Sequence, residues 1–230
     1  MFVALSSQIA EEFQKKTGFD VLALNEYSAL DAPVSSHADM LLCVIDNNVF
    51  CYNEYYNKNI SIFEKIEKKY NVIKIEKECL NEYPNDVALN VLIIGKTIFS
   101  RLDSTAREII EYAKNNGYKL VNVKQGYTCC STLVLNEKSA ITSDVGIYNT
   151  LKKEGYNALL VSNEVIELKG YNCGFIGGVG GVYSNTVYFF GDISMHPEYE
   201  KISSFLEENN CKIISILSGG VYDFGGIKFL

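Results

Sequence analysis

The sequence predicts an α/β fold made of about five repeats of one helix–strand–hairpin unit. These are set around a central axis as a five-bladed, pseudo-fivefold α/β propeller. Three observations predict it: a helix exit that recurs along the chain, a strand pair that follows each exit, and two chain ends that each carry half of one further pair.

The exits come first. Gly18-Phe19 leads into Val21-Leu22-Ala23-Leu24, Gly117-Tyr118 into Leu120-Val121, and Gly155-Tyr156 into Ala158-Leu159-Leu160-Val161. Asn116 and the pair Asn209-Asn210 are residues of the same kind, able to take a left-handed backbone where a helix stops. Tyr70-Asn71, before Val72-Ile73-Lys74-Ile75, is a weaker version.

A helical stripe precedes each exit. Within 103–116 the apolar residues Ala106, Ile109, Ile110 and Ala113 follow the i, i+3, i+4, i+7 spacing that turns one face inward. Ile62, Phe63, Ile66 and Tyr70 make a second stripe, and Tyr199, Ile202, Phe205 and Leu206 a third. Ile9 with Phe13, and Ile147 with Leu151, make the two shorter ones. Asp103, Ser104 and Asp144 are the expected N-caps, and Pro197 suits a first helical turn.

A hairpin follows each exit strand. Residues 40–45 and 49–52 flank Asp46-Asn47-Asn48, residues 89–94 and 97–99 flank Gly95-Lys96, and residues 132–135 and 139–142 flank Asn136-Glu137-Lys138. Residues 174–182 and 186–190 flank Tyr183-Ser184-Asn185, turn chemistry throughout. The exits lie near 18, 70, 117, 155 and 210, which is repeat spacing, although side-chain identities barely recur. One unit cannot bury its own sheet face and helix stripe, so its neighbours must cover them. Residues 1–5 and 223–230 each supply one strand without a hairpin mate. Pairing the N- and C-terminal strands completes the fifth hairpin and removes an exposed edge. The alternative is an open α/β sandwich with a frayed N-terminus.

The 230 residues are 47% hydrophobic and include only three prolines, with no linker-like stretch, so a single domain over 1–230 is expected. The formal charge of −7 and the scattered basic residues give no field for nucleic acid or an anionic bilayer; a cationic small molecule fits better. Seven cysteines and no secretory leader argue against a disulfide scaffold and for reduced thiols in a cytoplasmic chain. No apolar run is long enough to span a bilayer. A homo-oligomer is compatible with the sequence. No cofactor is expected: the glycines of 174–181 lie inside a strand pair with no helix following, unlike a dinucleotide loop, and read as close backbone packing.

Chemistry concentrates just before the hairpins. These positions read His37-Ala38-Asp39, Asn85-Asp86, Cys129-Cys130-Ser131, Cys173-Gly174 and Tyr222-Asp223. A ring brings equivalent positions together at its middle. A thiolate can attack an sp² carbon, a histidine can move protons near neutral pH, and carboxylates can hold a planar cation. His37 and Asp39, two apart, would share one side of an extended strand start. The plainer readings are a loop histidine, carboxylates that cap turns, and a cysteine pair of which one belongs to the core. His196 reads as a cap or surface residue. Cys, His and Asp also ligate zinc, but no tight CxxC or HxxxH spacing accompanies them.

These segments resemble the pentein superfamily, the guanidino-group-modifying fold, over nearly the whole chain. His37-Ala38-Asp39-Met40, the stretch from Gly126 through Cys130 to Asp144, the stretch from Gly174 to Pro197, and Asp223-Phe224-Gly225-Gly226-Ile227 are similar to a small bacterial branch of it that has no assigned reaction. The resemblance implies a cysteine-dependent hydrolase or deiminase acting on a guanidino or amidino compound through a covalent thiol intermediate. His37 and Asp39 look like the superfamily's His-x-Asp pair, and Asp223 like an acidic guanidinium ligand. The superfamily's nucleophile precedes the final hairpin, where this chain has Asp223 and no cysteine. Read cyclically, the nucleophile becomes Cys130 or Cys129, with Cys130 preferred and Cys173 the fallback. The opposing implication is a catalytically inactive binding protein of the same fold.

Overall fold

The computed structural model describes residues 1–230. Its strands form five three-stranded sheets and one two-stranded pair. Four sheets follow the chain in order. They comprise Leu42–Ile45, Asn48–Tyr52 and Asn71–Ile75; then Leu92–Ile94, Thr97–Ser100 and Lys119–Asn122; then Thr132–Val134, Ser139–Thr142 and Asn157–Leu160; then Gly180–Tyr183, Thr186–Phe189 and Lys212–Ser215. In each, the middle strand pairs antiparallel with the strand before it and parallel with the strand after it.

The remaining sheet repeats this plan from both chain ends. Phe2–Ser6 pairs parallel with Asp20–Leu24 and antiparallel with Lys228–Phe229, in the register Val3↔Phe229 and Ala4↔Lys228. Phe2 and Leu230 exchange both backbone hydrogen bonds at 2.8 Å. Phe2–Ser6 is the middle strand of this sheet and Lys228–Phe229 lies at its edge, so neither chain end is unpaired and the frayed N-terminus does not occur.

Helices Ala10–Thr17, Ile60–Ile66, Arg107–Asn115, Val145–Lys153 and Tyr199–Glu208 connect the middle strand of each sheet to its parallel partner. Each carries its expected apolar stripe inward: Phe13, Phe63 with Ile66, Ile109 with Ala113, Ile147 with Leu151, and Ile202 with Leu206 are all buried. Burying one such Phe or Leu contributes about 2–3 kcal/mol. Gly18, Gly117, Gly155 and Asn210 have the positive φ expected of the stops, whereas Asn116 and Asn209 do not take the left-handed backbone read for them. Asp144 caps its helix, its Oδ1 accepting from Ile147 N at 2.8 Å.

Four local expectations need correction. Asp103 and Ser104 cap nothing: the helix begins at Arg107, and Ala106 N donates instead to Ala88 O at 3.0 Å. Met40 and Leu41 are not strand residues. Ala38–Leu41 is one helical turn, with Met40 N and Leu41 N both donating to His37 O at 3.1 Å. Residues Ile176–Val179 form a 3-10 turn before the strand starts at Gly180. His196 is buried, not a surface group. Its Nε2 lies 2.9 Å from Ser162 O, and its Nδ1 accepts from Glu198 N.

The two-stranded pair, Ile166–Glu167 with Val221–Tyr222, fastens the 163–173 loop beside Asp223, whose N donates to Glu167 O at 2.9 Å. No helix is long and apolar enough to cross a membrane.

Candidate functional site

His37, Asp39, Asn90, Cys130, Ser131 and Asp223 are all buried although polar. They come from three pre-hairpin segments and the final loop, and they meet in one layer. The one-turn helix at 38–41 follows from its neighbours: Asp39 N donates to Gly225 O at 3.0 Å, pinning the turn to the chain's last loop. Gly225 has φ +80, and a Cβ there would overlap the His37 ring, so only glycine lets the loop lie on the histidine. Gly178 is equally constrained: a Cβ there would stand inside the Asp223 carboxylate.

His37 therefore reaches this layer as the extended residue that precedes a helical turn, and Asp39 from the turn itself, so the two do not share one side of a strand. Here His37 turns to Asp223, with Nδ1 3.9 Å from Oδ1, while Asp39 turns to a cavity. The Asp223 carboxylate is well held, accepting from Phe175 N at 2.8 Å and Gly225 N at 2.9 Å. Asp39 is the opposite case. Both of its carboxylate oxygens are buried without any hydrogen-bond partner. Burial pushes its carboxyl up to about 6; the nearby His37 opposes this and Asp223 adds to it.

The cysteines divide. Cys130 is buried beside Asp39, with its Sγ 2.8 Å from Asn90 Nδ2 and 3.9 Å from Met40 Sδ. Burial raises its thiol well above the ordinary range, and the charges of Asp39 and then Asp223 raise it further. Cys129 is only half-buried, and its Sγ accepts from Lys228 Nζ at 3.2 Å. Burial raises its thiol too, with Lys228 opposing. The two neighbours sit in a tight turn, so strand alternation does not sort them. Cys173 is half-buried and lines neither of the two cavities described next.

Two residues that hold the layer together were not anticipated. Asn90 Oδ1 accepts from Cys129 N at 2.8 Å and Cys130 N at 3.3 Å, while its Nδ2 faces Asp39 O at 3.2 Å. Lys228 stands in the final strand. The available signals were one amide inside Val87-Ala88-Leu89-Asn90-Val91-Leu92 and one ammonium inside Ile227-Lys228-Phe229-Leu230.

Two cavities flank the layer. One, of about 420 Å³, is walled by residues next to or within one strand of every three-stranded sheet, among them Val44, Leu92, Leu133, Val182 and Phe229. Asp39, Cys129 and Lys228 reach it. The other, of about 1240 Å³, is lined by Asp223 and Tyr222, by Glu26, and by Glu164, Glu167 and Lys169 of the 163–173 loop. Its acidic balance suits a cation. No group of three or more His, Cys, Asp or Glu side chains stands where it could hold a metal ion.

Residues 4–228 match the family model described as "Family of unknown function (DUF6873)". No curated protein matches the chain. Among solved structures, it is similar to DDAH from Pseudomonas aeruginosa, a cysteine-to-serine mutant complexed with citrulline. The two share 11% identity over 96% of each chain, with a TM-score of 0.56. The inosamine-phosphate amidinotransferase StrB1 from Streptomyces griseus is 11% identical over 95% of this chain and 76% of its own, with a TM-score of 0.53. ArgZ, an arginine dihydrolase from the ornithine-ammonia cycle in cyanobacteria, is 14% identical over 93% of this chain and 36% of its own, with a TM-score of 0.54. All three are pentein-superfamily members, and the likeness is one of fold.

Proposed function

The chain belongs to that family of unknown function, and we propose that it is a cysteine-dependent hydrolase of a guanidino or amidino small molecule. One observation carries the reading. Asp39 buries two carboxylate oxygens with no partner, in the same layer as Asp223, His37 and Cys130. A buried carboxylate without donors costs several kcal/mol, and a planar cation supplies both donors and charge. The reading takes residues 1–230 as a single pentein-like domain of five blades around one axis, closed where Phe2–Ser6 meets Lys228–Phe229. The solved structures that share the fold include an amidinotransferase and an arginine dihydrolase, in keeping with a guanidino compound.

In the proposed reaction the cation lies between Asp39 and Asp223, above Cys130. Burial holds the thiol neutral and the two carboxylates add to that; the cation's charge offsets the carboxylates, so binding itself favours the thiolate. His37 takes the thiol proton, and Asp223, 3.9 Å away, stabilises the imidazolium. Sulfur bonds to the central carbon. The C–N bond to the leaving amine then breaks as His37 returns the proton to that nitrogen. Water, deprotonated by His37, attacks the same carbon, and the C–S bond breaks to restore the thiol.

A second reading, a binding protein without catalysis, is favoured by one observation: Cys130 is sealed by Asn90 and Met40 and held neutral. Chloroacetamidine, an electrophile with an amidinium head, separates the two when its adducts are mapped by mass spectrometry. The hydrolase reading expects one adduct, at Cys130, suppressed by guanidinium. Inert Cys130, Cys129 and Cys173 would overturn it and leave the binding reading. Labelling spread evenly over the half-buried thiols, Cys211 included, would overturn both.

A further inference from the structure

The 420 Å³ cavity holds a reactive pair that this mechanism does not use. Lys228 is the only basic residue on its wall. Its ammonium has no carboxylate within ion-pair distance, and its one polar partner is the Cys129 sulfur at 3.2 Å. Both groups are held by backbone. Lys228 sits in register with Ala4 at the meeting of the chain ends, and Cys129 sits in the turn fastened by Asn90. They lie 99 residues apart in sequence. Cys130 has no amine at hydrogen-bond distance: its sulfur faces the Asn90 amide and Met40.

We propose that Cys129 and Lys228 are a site of oxidative modification, joined by a sulfenamide (S–N) bond after reaction with a hydroperoxide. The Cys129 sulfur attacks the outer peroxide oxygen. An S–O bond forms, the O–O bond breaks, and the thiol proton leaves with the departing oxygen as water or an alcohol. Sulfur loses two electrons and the peroxide gains them, giving a sulfenic acid. Lys228, having given one proton to hydroxide or a buffer base from the solvent, attacks that sulfur as the neutral amine. The S–N bond forms and the S–O bond breaks. The departing hydroxyl takes the second nitrogen proton and leaves as water. In sum, thiol, amine and hydroperoxide give the sulfenamide, water and one alcohol or second water. Two external thiols reverse it, returning Cys129 and Lys228 and leaving a disulfide. The bond welds the last strand to the 128–130 turn and removes the cavity's ammonium.

The test uses the full chain and hydrogen peroxide, followed by alkylation of remaining thiols and peptide mapping without reductant. The expected product is a pair of peptides containing Cys129 and Lys228, joined and lighter than their sum by two hydrogen atoms. Dithiothreitol removes it. It persists in Cys130→Ser, which separates this outcome from the fate of the hydrolase reading. In Lys228→Arg, which keeps charge and length, it is lost and Cys129 proceeds to sulfinic acid. A disulfide between Cys129 and Cys130, or sulfinic Cys129 beside free Lys228 in the unaltered chain, would overturn the proposal.

Discussion

Two carboxylates, Asp46 and Asp39, are treated in opposite ways by the same fold. Asp46 sits at an exposed hairpin tip with φ +50. Its oxygens accept from Tyr112 and Tyr118 at 2.9 Å each and from Lys96 at 3.4 Å. Slight burial nudges its carboxyl up, but the two tyrosines and the lysine hold it below the usual range. Asp39, buried at the wall of the smaller cavity beside the Cys130 thiol, has no hydrogen-bond partner on either carboxylate oxygen. Three side chains hold the exposed charge, and none hydrogen-bonds the buried one. On the proposed reading, a bound cation is what satisfies the second.

This contrast can be broken or sharpened by substitution, starting with the largest effect. Cys130→Ser is expected to abolish chloroacetamidine labelling, whereas Cys129→Ser leaves it intact; peptide mapping reads both. Asp39→Asn is expected to slow labelling by roughly 100-fold, the loss of one buried charge-assisted contact. The same variant should be more stable than the native chain, and pH gives the signature. The Asp39 carboxyl is raised from 3.8 to about 6, so the folded chain keeps a proton that the unfolded chain releases. Stability from this group therefore falls as pH rises from about 4 through about 6. Urea titrations should show the variant's advantage growing across that window to about 2–3 kcal/mol and level above it. An advantage independent of pH would mean that Asp39 is already neutralised.

Asn90→Ala should act on stability in the opposite direction. It strips the acceptor from the buried Cys130 N and the half-buried Cys129 N, and should cost about 2–4 kcal/mol by urea titration. Asp46→Asn, on an exposed turn, should cost less than about 1 kcal/mol, and less again in high salt. If Asp46 proved the costlier loss, the division between a satisfied rim and an unsatisfied centre would fail.

Much of the fold was legible. The helix stripes, the glycine and asparagine stops, the hairpin tips and the meeting of the chain ends were all present in local pattern. The candidate site was legible as a set of positions: His37, Asp39, Cys130 and Asp223 do gather. Their arrangement was not. His37 and Asp39 looked like an extended pair, but a backbone bond from Asp39 to Gly225, at the far end of the chain, pins Asp39 in a helical turn while His37 stays extended. Of Cys129 and Cys130, the sequence preferred Cys130 as nucleophile and expected one of the pair in the core, but only Lys228 and Asn90 show which: Cys129 is the cavity thiol and Cys130 the core thiol.

The sequence by itself determined the periodicity: where helices run and stop, which residues turn, and which strands lack a mate. These depend on neighbours within a few residues, through side-chain spacing and backbone preference. Only the tertiary structure decided which buried polar groups find partners. Asn90 reaches Cys130 across 40 residues, and Lys228 reaches Cys129 across 99. Whether a carboxylate such as Asp39 is satisfied depends on groups brought to it by the folding of the whole chain, and no local pattern encodes that.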